Sequence, residues 1–343
     1  MAITLLLSVS SCRWQPNSSS SEVASKNELQ SSQPSSEAAS KNEKEDYEIA
    51  LFFYNHVSSN PPLMMLKDGA FKAVEDLKKQ NINVKLVDYE TSVYGSHIDL
   101  YEEANSYKPD AIIETEYSLS ESVKKESIKS KEIGIALTSI NIFRDERYET
   151  DELIDVFFKY EFSDIELATG EKMLELLKLQ GTSSGKIAIL GPLLQRTFRS
   201  VFEGTDYEVL DSLYVEGGPI QYKEALEKII AENGNIVGVF CTYPDPCEGA
   251  AMAIYEAGLK DSVVLIGHQV NKKRYLTEGF ADAYIYVDFY EMGYKSLMET
   301  VKFLNGETTA GKTVHVPPRI LTKENAEQFY TEWEKYELFN DQG

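Results

Sequence analysis

An α/β fold of two doubly wound, parallel-sheet lobes is what the sequence predicts, on three observations. From residue 47 onward, short continuous apolar runs alternate with amphipathic stretches. Runs of that kind are buried on both sides, as in a parallel sheet covered by helices. They are too many for one sheet, and an irregular segment near 141–160 divides them into two groups.

In chain order, YEIALFFY (47–54) is the first strand. Residues 62–80 follow as a helix, because Leu63, Leu66, Phe71, Val74 and Leu77 recur mostly three or four apart and form an apolar stripe. Strand 82–89, helix 97–107, strand 110–114, helix 119–130 and strand 133–137 complete the first group. The second group runs helix 163–180, strand 186–190, helix 192–203, strand 207–215, helix 220–233 and strand 236–240. It continues with helix 247–258, strands 263–267 and 283–287, and helix 288–304. Ligands of such sheets bind beyond the carboxyl ends of the strands, so two facing lobes place a ligand in the cleft between them.

Composition narrows the function classes. The formal charge is −22, and residues 1–46, with six acids and four bases, carry only −2 of it. A body this acidic repels phosphate backbones and anionic headgroups, which argues against nucleic-acid partners. No run of about eighteen apolar residues follows the N-terminal segment, so nothing in the body reads as a membrane span.

The N-terminal segment has its own character. In MAITLLLSVSSC, Leu5, Leu6 and Leu7 form an apolar core, and Val9, Ser10 and Ser11 are small residues before Cys12. This resembles the lipobox of bacterial lipoproteins. The resemblance implies a signal peptide over 1–11 and a lipid anchor on Cys12. Residues 12–46 are Ser-rich; within them 17–46 are almost free of large apolar side chains and hold two near-copies, SEVASKNE and SEAASKNE. Such a segment reads as a disordered tether, about 30 Å long on average.

The catalytic patterns tested for are absent. GTSSGK (181–186) has the wrong spacing for a phosphate loop, lacks its Ser or Thr, and precedes a strand instead of following one. There is no G-x-S-x-G elbow, and the four His residues are scattered. No enzyme activity, metal or cofactor is indicated. Cys241 and Cys247, in CTYPDPC, leave two readings open: a disulfide closing a small loop, or two unpaired thiols.

Several strings resemble the type I periplasmic binding proteins of the ribose-binding kind, the solute receptors of ABC importers. They are SNPPLMMLKDGAFKAVEDL (59–77), GKIAILGP (185–192), VGVFCTYPDPCEGAAMAIYEAGLKDSVVLIGH (237–268), GFADAYIYVDFYEMGYKSLMETVKFLNGE (279–307) and PPRILTKEN (317–325). The resemblance implies an N-terminal lobe of 47–159 plus 288–316 and a C-terminal lobe of 160–287 plus 317–343, joined by a three-strand hinge. It also exposes departures. Ser139 and Ile140 stand where sugar receptors carry an Asp-Arg pair, and Tyr243-Pro244 replaces an Asn-Asp pair. Gln269, after His268, replaces an Asp, and Val287 replaces a Gln.

Strand ends supply the candidate ligand-binding residues: Tyr54, His56 and Asn60, then Glu114 and Glu116, then Asn141. Across the cleft come Arg196 and Arg199, Tyr243 and Asp245, His268 and Gln269, and Asp288. Asp245 and Asp288 have a second reading, as caps of helices 247–258 and 288–304. Polar groups among flat aromatic faces suit a carbohydrate, whose C–H faces stack while its hydroxyls find amide and carboxylate partners. The sequence therefore reads as a monomeric solute-binding lipoprotein outside the membrane of a Gram-positive cell, passing a small polar ligand, a sugar or sugar derivative, to an ABC permease. Two alternatives stand beside it: a ligand sensor docking a membrane histidine kinase, and a receptor for a cationic or aromatic molecule held by acids and Tyr faces.

Overall fold

A computed structural model of the chain describes residues 46–54, 56–115, 120–141, 152–159, 161–192, 195–270 and 272–333. Cys12 and the tether up to residue 45 lie outside them, as do Glu116 and the side chain of Asn141.

β1 (Asp46–Phe53) shows why the sheets are buried on both sides. Ile49, Leu51 and Phe53 join one apolar cluster, and Ala50 and Phe52 join another on the opposite face. It pairs in parallel with β2 (Asn83–Glu90) and β3 (Ala111–Thr115). β4 (Ala136–Asn141), β5 (Val156–Lys159) and β11 (Lys312–His315) extend the sheet, giving the order β11-β5-β4-β3-β1-β2. α1 (Pro61–Lys79) and α10 (Phe289–Leu304) pack together on one face. α3 (His97–Tyr107) and α4 (Glu121–Glu132) pack together, with Leu100, Tyr101 and Val123 in the opposite cluster.

The second sheet repeats the order. β6 (Ser184–Leu190), β7 (Asp206–Leu213), β8 (Ile236–Cys241), β9 (Val264–His268), β10 (Ala283–Tyr286) and β12 (Arg319–Thr322) run β12-β10-β9-β8-β6-β7. Only β12 pairs antiparallel. On β8, Phe240 stacks on Phe198 of α6 (Arg196–Ser200), and Gly238 lies against Met173 of α5 (Phe162–Leu179). α7 (Pro219–Asn233) and α8 (Pro244–Glu256) pack together on the other side, where Cys241 meets Cys247.

The chain passes between the sheets three times, from Lys159 to Phe162, from Tyr286 to Phe289 and from His315 to Arg319. Each crossing leaves the carboxyl end of a strand, so those ends are turned toward each other. Lys159 pairs with Glu161 at 2.7 Å, and the Val316 amide donates to the Lys159 carbonyl. In the third crossing Arg319 lies 3.8 Å from Asp288.

Several expectations need correction. The irregular stretch near 141–160 holds a strand, β5, whose VFFK is fully buried. The helix expected over 192–203 is only the five-residue α6, started by Glu166, whose buried carboxylate accepts the Thr197 amide at 2.9 Å. The helix expected over 247–258 begins at Pro244, with proline at the position its fixed φ suits. β11, β12, the short helices α2 (Thr91–Tyr94) and α9 (Lys273–Thr277), and α11 (Lys323–Trp333) were not foreseen.

Candidate functional site

β1 lies between β2 and β3, and β6 between β7 and β8. The connecting helices leave toward opposite faces at these points, and a crevice opens beyond the carboxyl ends. Polar and aromatic side chains gather there in both lobes.

In the first lobe the centre is Glu114, fully buried near the end of β3. Its Oε2 accepts the Tyr54 hydroxyl at 2.5 Å and the Tyr101 hydroxyl at 2.8 Å. A carboxyl group at this depth is tolerated only with such donors. Tyr54 itself lies flat on His97, 3.6 Å between ring centres and 14° between planes. His97 and Tyr101 stand one turn apart on α3, so a single helix face supplies the ring stacked on Tyr54 and a second donor to Glu114. Ser139 pairs in register with Glu114 on β4, and its buried hydroxyl has no partner among the described residues. Tyr54→Phe and Tyr101→Phe each remove one donor from Glu114 and are expected to cost about 1–3 kcal/mol in urea unfolding. A change below about 0.5 kcal/mol in both would show that the carboxyl group is not anchored this way.

In the second lobe His268 ends β9, buried, with Nδ1 3.2 Å from the Thr242 carbonyl and the Phe162 ring edge-on at 6.3 Å. Burial holds its pKa down to about 4, outweighing the Thr242 bond. The ring is therefore neutral at pH 7, with Nδ1–H donating to the carbonyl and Nε2 left as an acceptor. Neither Nε2 nor the Thr242 hydroxyl has a partner among the described residues. Tyr243 shares a 2.6 Å hydroxyl contact with Tyr222, which also accepts the Val215 amide at 3.2 Å. Burial pushes the Tyr243 hydroxyl pKa up, and the Tyr222 bond adds to that. Gly191, at φ +118°, directly follows β6 and lies against Thr242; a side chain there would collide with its hydroxyl.

The other candidates fall into distinct settings. Asn60 caps α1, accepting the Leu63 amide at 3.4 Å. Asp288 caps α10, accepting the Glu291 amide at 3.0 Å, and burial raises its pKa. Asp245 is exposed in the first turn of α8; the cap position is Tyr243, so the capping reading of Asp245 is corrected. Arg199 spends its guanidinium on the Val209 and Leu210 carbonyls, Gln195 and Asp211, which ties α6 to β7. Arg196 and His56 are exposed. Gln269 takes a left-handed φ of +54° while its amide donates to the Ile285 carbonyl at 3.0 Å.

Of the two readings of Cys241 and Cys247, the structure has the unpaired one: both are free and buried, and burial drives the Cys241 thiol well above its usual pKa. Among the described residues no cluster of three or more His, Cys, Asp or Glu is placed to hold a metal. Sequence reasoning missed His97, Tyr101, Phe162 and Thr242. Three of these belong to helices, where an aromatic ring reads as core; the only hint was a polar head on each of His97 and Tyr101, at i and i+4.

Residues 49–308 match the family model described as "Periplasmic binding protein domain". No curated protein matches the chain. Among solved structures, a carbohydrate transporter solute-binding protein from Agrobacterium radiobacter in complex with D-arabinose is 19% identical, covers 86% of this chain and 99% of its own, and has a TM-score of 0.55. AraP, an arabinose-binding protein from Geobacillus stearothermophilus, is 19% identical over 83% of this chain and 99% of its own, TM-score 0.62. A mutant XylFII–LytSN complex matches at 22% identity over 82% and 99%, TM-score 0.61. At these identities the likeness is one of fold.

Proposed function

The chain belongs to the periplasmic binding protein domain family, a family of binding proteins and not of enzymes, and from that premise we propose that it is an extracytoplasmic solute-binding lipoprotein that captures a sugar for an ABC importer. The observation that carries the reading is the pairing of two polar, aromatic-lined strand-end clusters, Tyr54–Glu114–Tyr101 and Thr242–Tyr243–His268, one in each lobe of a chain that crosses between them three times. Aromatic faces offer a surface to sugar C–H groups, and hydroxyl, imidazole and carboxyl groups suit its hydroxyls. The neighbours bound to or named for arabinose support the ligand class. We assign the N-terminal lobe to 47–159 plus 288–316 and the C-terminal lobe to 160–287 plus 317–343, with the crossings as hinge and closure driven by contacts to both lobes. Cys12 is the lipid anchor in this reading.

A second reading has one observation in its favour, the likeness to XylFII in complex with LytSN: the closed, liganded form docks a membrane sensor.

A thermal-shift screen of monosaccharides, disaccharides, nucleosides and amines tests the ligand class. A sugar at 100 times its Kd should add about 2.7 kcal/mol of stability, a Tm rise of several degrees. Stabilisation by amines alone, or by nothing, would overturn it.

A further inference from the structure

A cavity of about 360 Å3 opens beside the Tyr54–Glu114–Tyr101 cluster, between the amino ends of α3 and α4. That volume lies within the ~300–1,000 Å3 typical of small-molecule sites. Ile98 and Val123 give it an apolar lining, Ser96, Ser120 and Ser122 give hydroxyls, and His97 connects it to the cluster. Ser96 and Ser120 already cap α3 and α4, at the Asp99 and Val123 amides. His97 stacks on Tyr54, and no hydrogen bond among the described residues engages its ring nitrogens. Half-burial lowers its pKa, so at pH 7 it presents one donor and one acceptor. Among the described residues, no Lys, Arg, Asp or Glu lines the cavity. An apolar lining with neutral polar groups matches a sugar ring, whereas a charged group would find no counter-ion among the described lining residues.

We propose that this cavity is an outer subsite for a second sugar ring, so that the ligand is a disaccharide or longer oligosaccharide with one ring against the strand ends and the next against His97 and Ser122. The proposal rests on the sugar-binding reading above. It accounts for a second polar-lined cavity joined to the strand-end cluster through His97, which a monosaccharide at the strand ends would leave unused.

The test is isothermal titration of the full chain with arabinose, xylose, glucose and galactose, and with disaccharides built from them. The wild-type protein should bind at least one disaccharide ten or more times tighter than either of its component sugars. Ser122 is exposed and lines the cavity, whereas Tyr54 and Glu114 are not among its lining residues, so Ser122→Trp is the variant chosen to fill it. In that variant the disaccharide advantage should fall to within twofold while the monosaccharide Kd is retained, with the melting profile as a check on folding. A monosaccharide bound as tightly as every disaccharide that contains it overturns the subsite and leaves sugar binding intact, as does a preference unchanged by Ser122→Trp. Binding of no sugar at all overturns the sugar reading and the subsite with it.

Discussion

Gly293→Ala is expected to cost the folded chain about 3 kcal/mol, and Gly69→Ala a similar amount, because overpacking against an obstacle that cannot rotate away sits at the upper end of its usual range. Gly293 is on α10, and a Cβ there would lie 1.9 Å from the Leu66 carbonyl oxygen of α1. Gly69 on α1 faces the reverse situation, with its Cβ position 2.0 Å from the Tyr290 carbonyl oxygen of α10. The two helices touch backbone to backbone, each through the other's glycine. A methyl group must push them apart, and α10 cannot retreat freely. Its Met292, Leu297 and Val301 are buried, and Thr300 is hydrogen-bonded to Thr138 of β4 at 2.7 Å. Asp288, at the start of α10, lies in one of the three crossings, so displacing the helix also displaces that crossing. In the second sheet's layer, α8 approaches α7 at one glycine: the Cβ position of Gly249 lies 2.3 Å from the Pro219 carbonyl oxygen. Urea unfolding of Gly69→Ala and Gly293→Ala measures the effect. Midpoints unchanged in both would mean that the helices do not approach as closely as described.

The fold was legible where burial is two-sided and long. β1, β3, β8 and β9 are continuous apolar runs that only a covered parallel sheet accommodates, and the helix expected over 97–107 is α3, His97–Tyr107. The short edge strands gave no such sign. KTVH of β11 is largely exposed, and RILT of β12 is too short to show alternation; both exist because the returning chain finds an open sheet edge. The site was legible as a set of strand ends, since topology fixes where strands terminate. It was not legible as a set of contacts. Asn60 and Asp288 sit where expected but serve helix amides, and Arg199 serves the backbone of β7. Glu114 was found, while the helix-borne Tyr101 and His97 that complete its surroundings were not, because a three-dimensional neighbour four residues along another helix leaves no local signal.

Acid should expose the buried state of His268. In the folded chain burial holds its pKa near 4, while the unfolded chain has the ordinary 6.5. Between those values the unfolded state binds the proton and the folded state does not, so the stabilisation is fully present above pH 6.5 and is lost as pH falls toward 4. The loss from this one group is about 3 kcal/mol across the window. Other groups contribute as well: burial raises the pKa of Asp282 and Asp288, which acts in the opposite sense. The informative quantity is therefore the difference between the wild type and His268→Leu, in which those contributions cancel. Plotted against pH, the difference in unfolding free energy should be flat above about 7 and slope by up to about 1.4 kcal/mol per unit below 6. A difference flat from pH 7 to 4 would mean that the ring titrates normally and reaches water. The expected slope would instead place a neutral imidazole beneath the Phe162 edge, its Nδ1 proton committed to Thr242 and Nε2 kept as an acceptor. That is a group able to meet a sugar hydroxyl with no charge to desolvate, a role that a carboxylate at the same strand end could fill only at the cost of burying its charge.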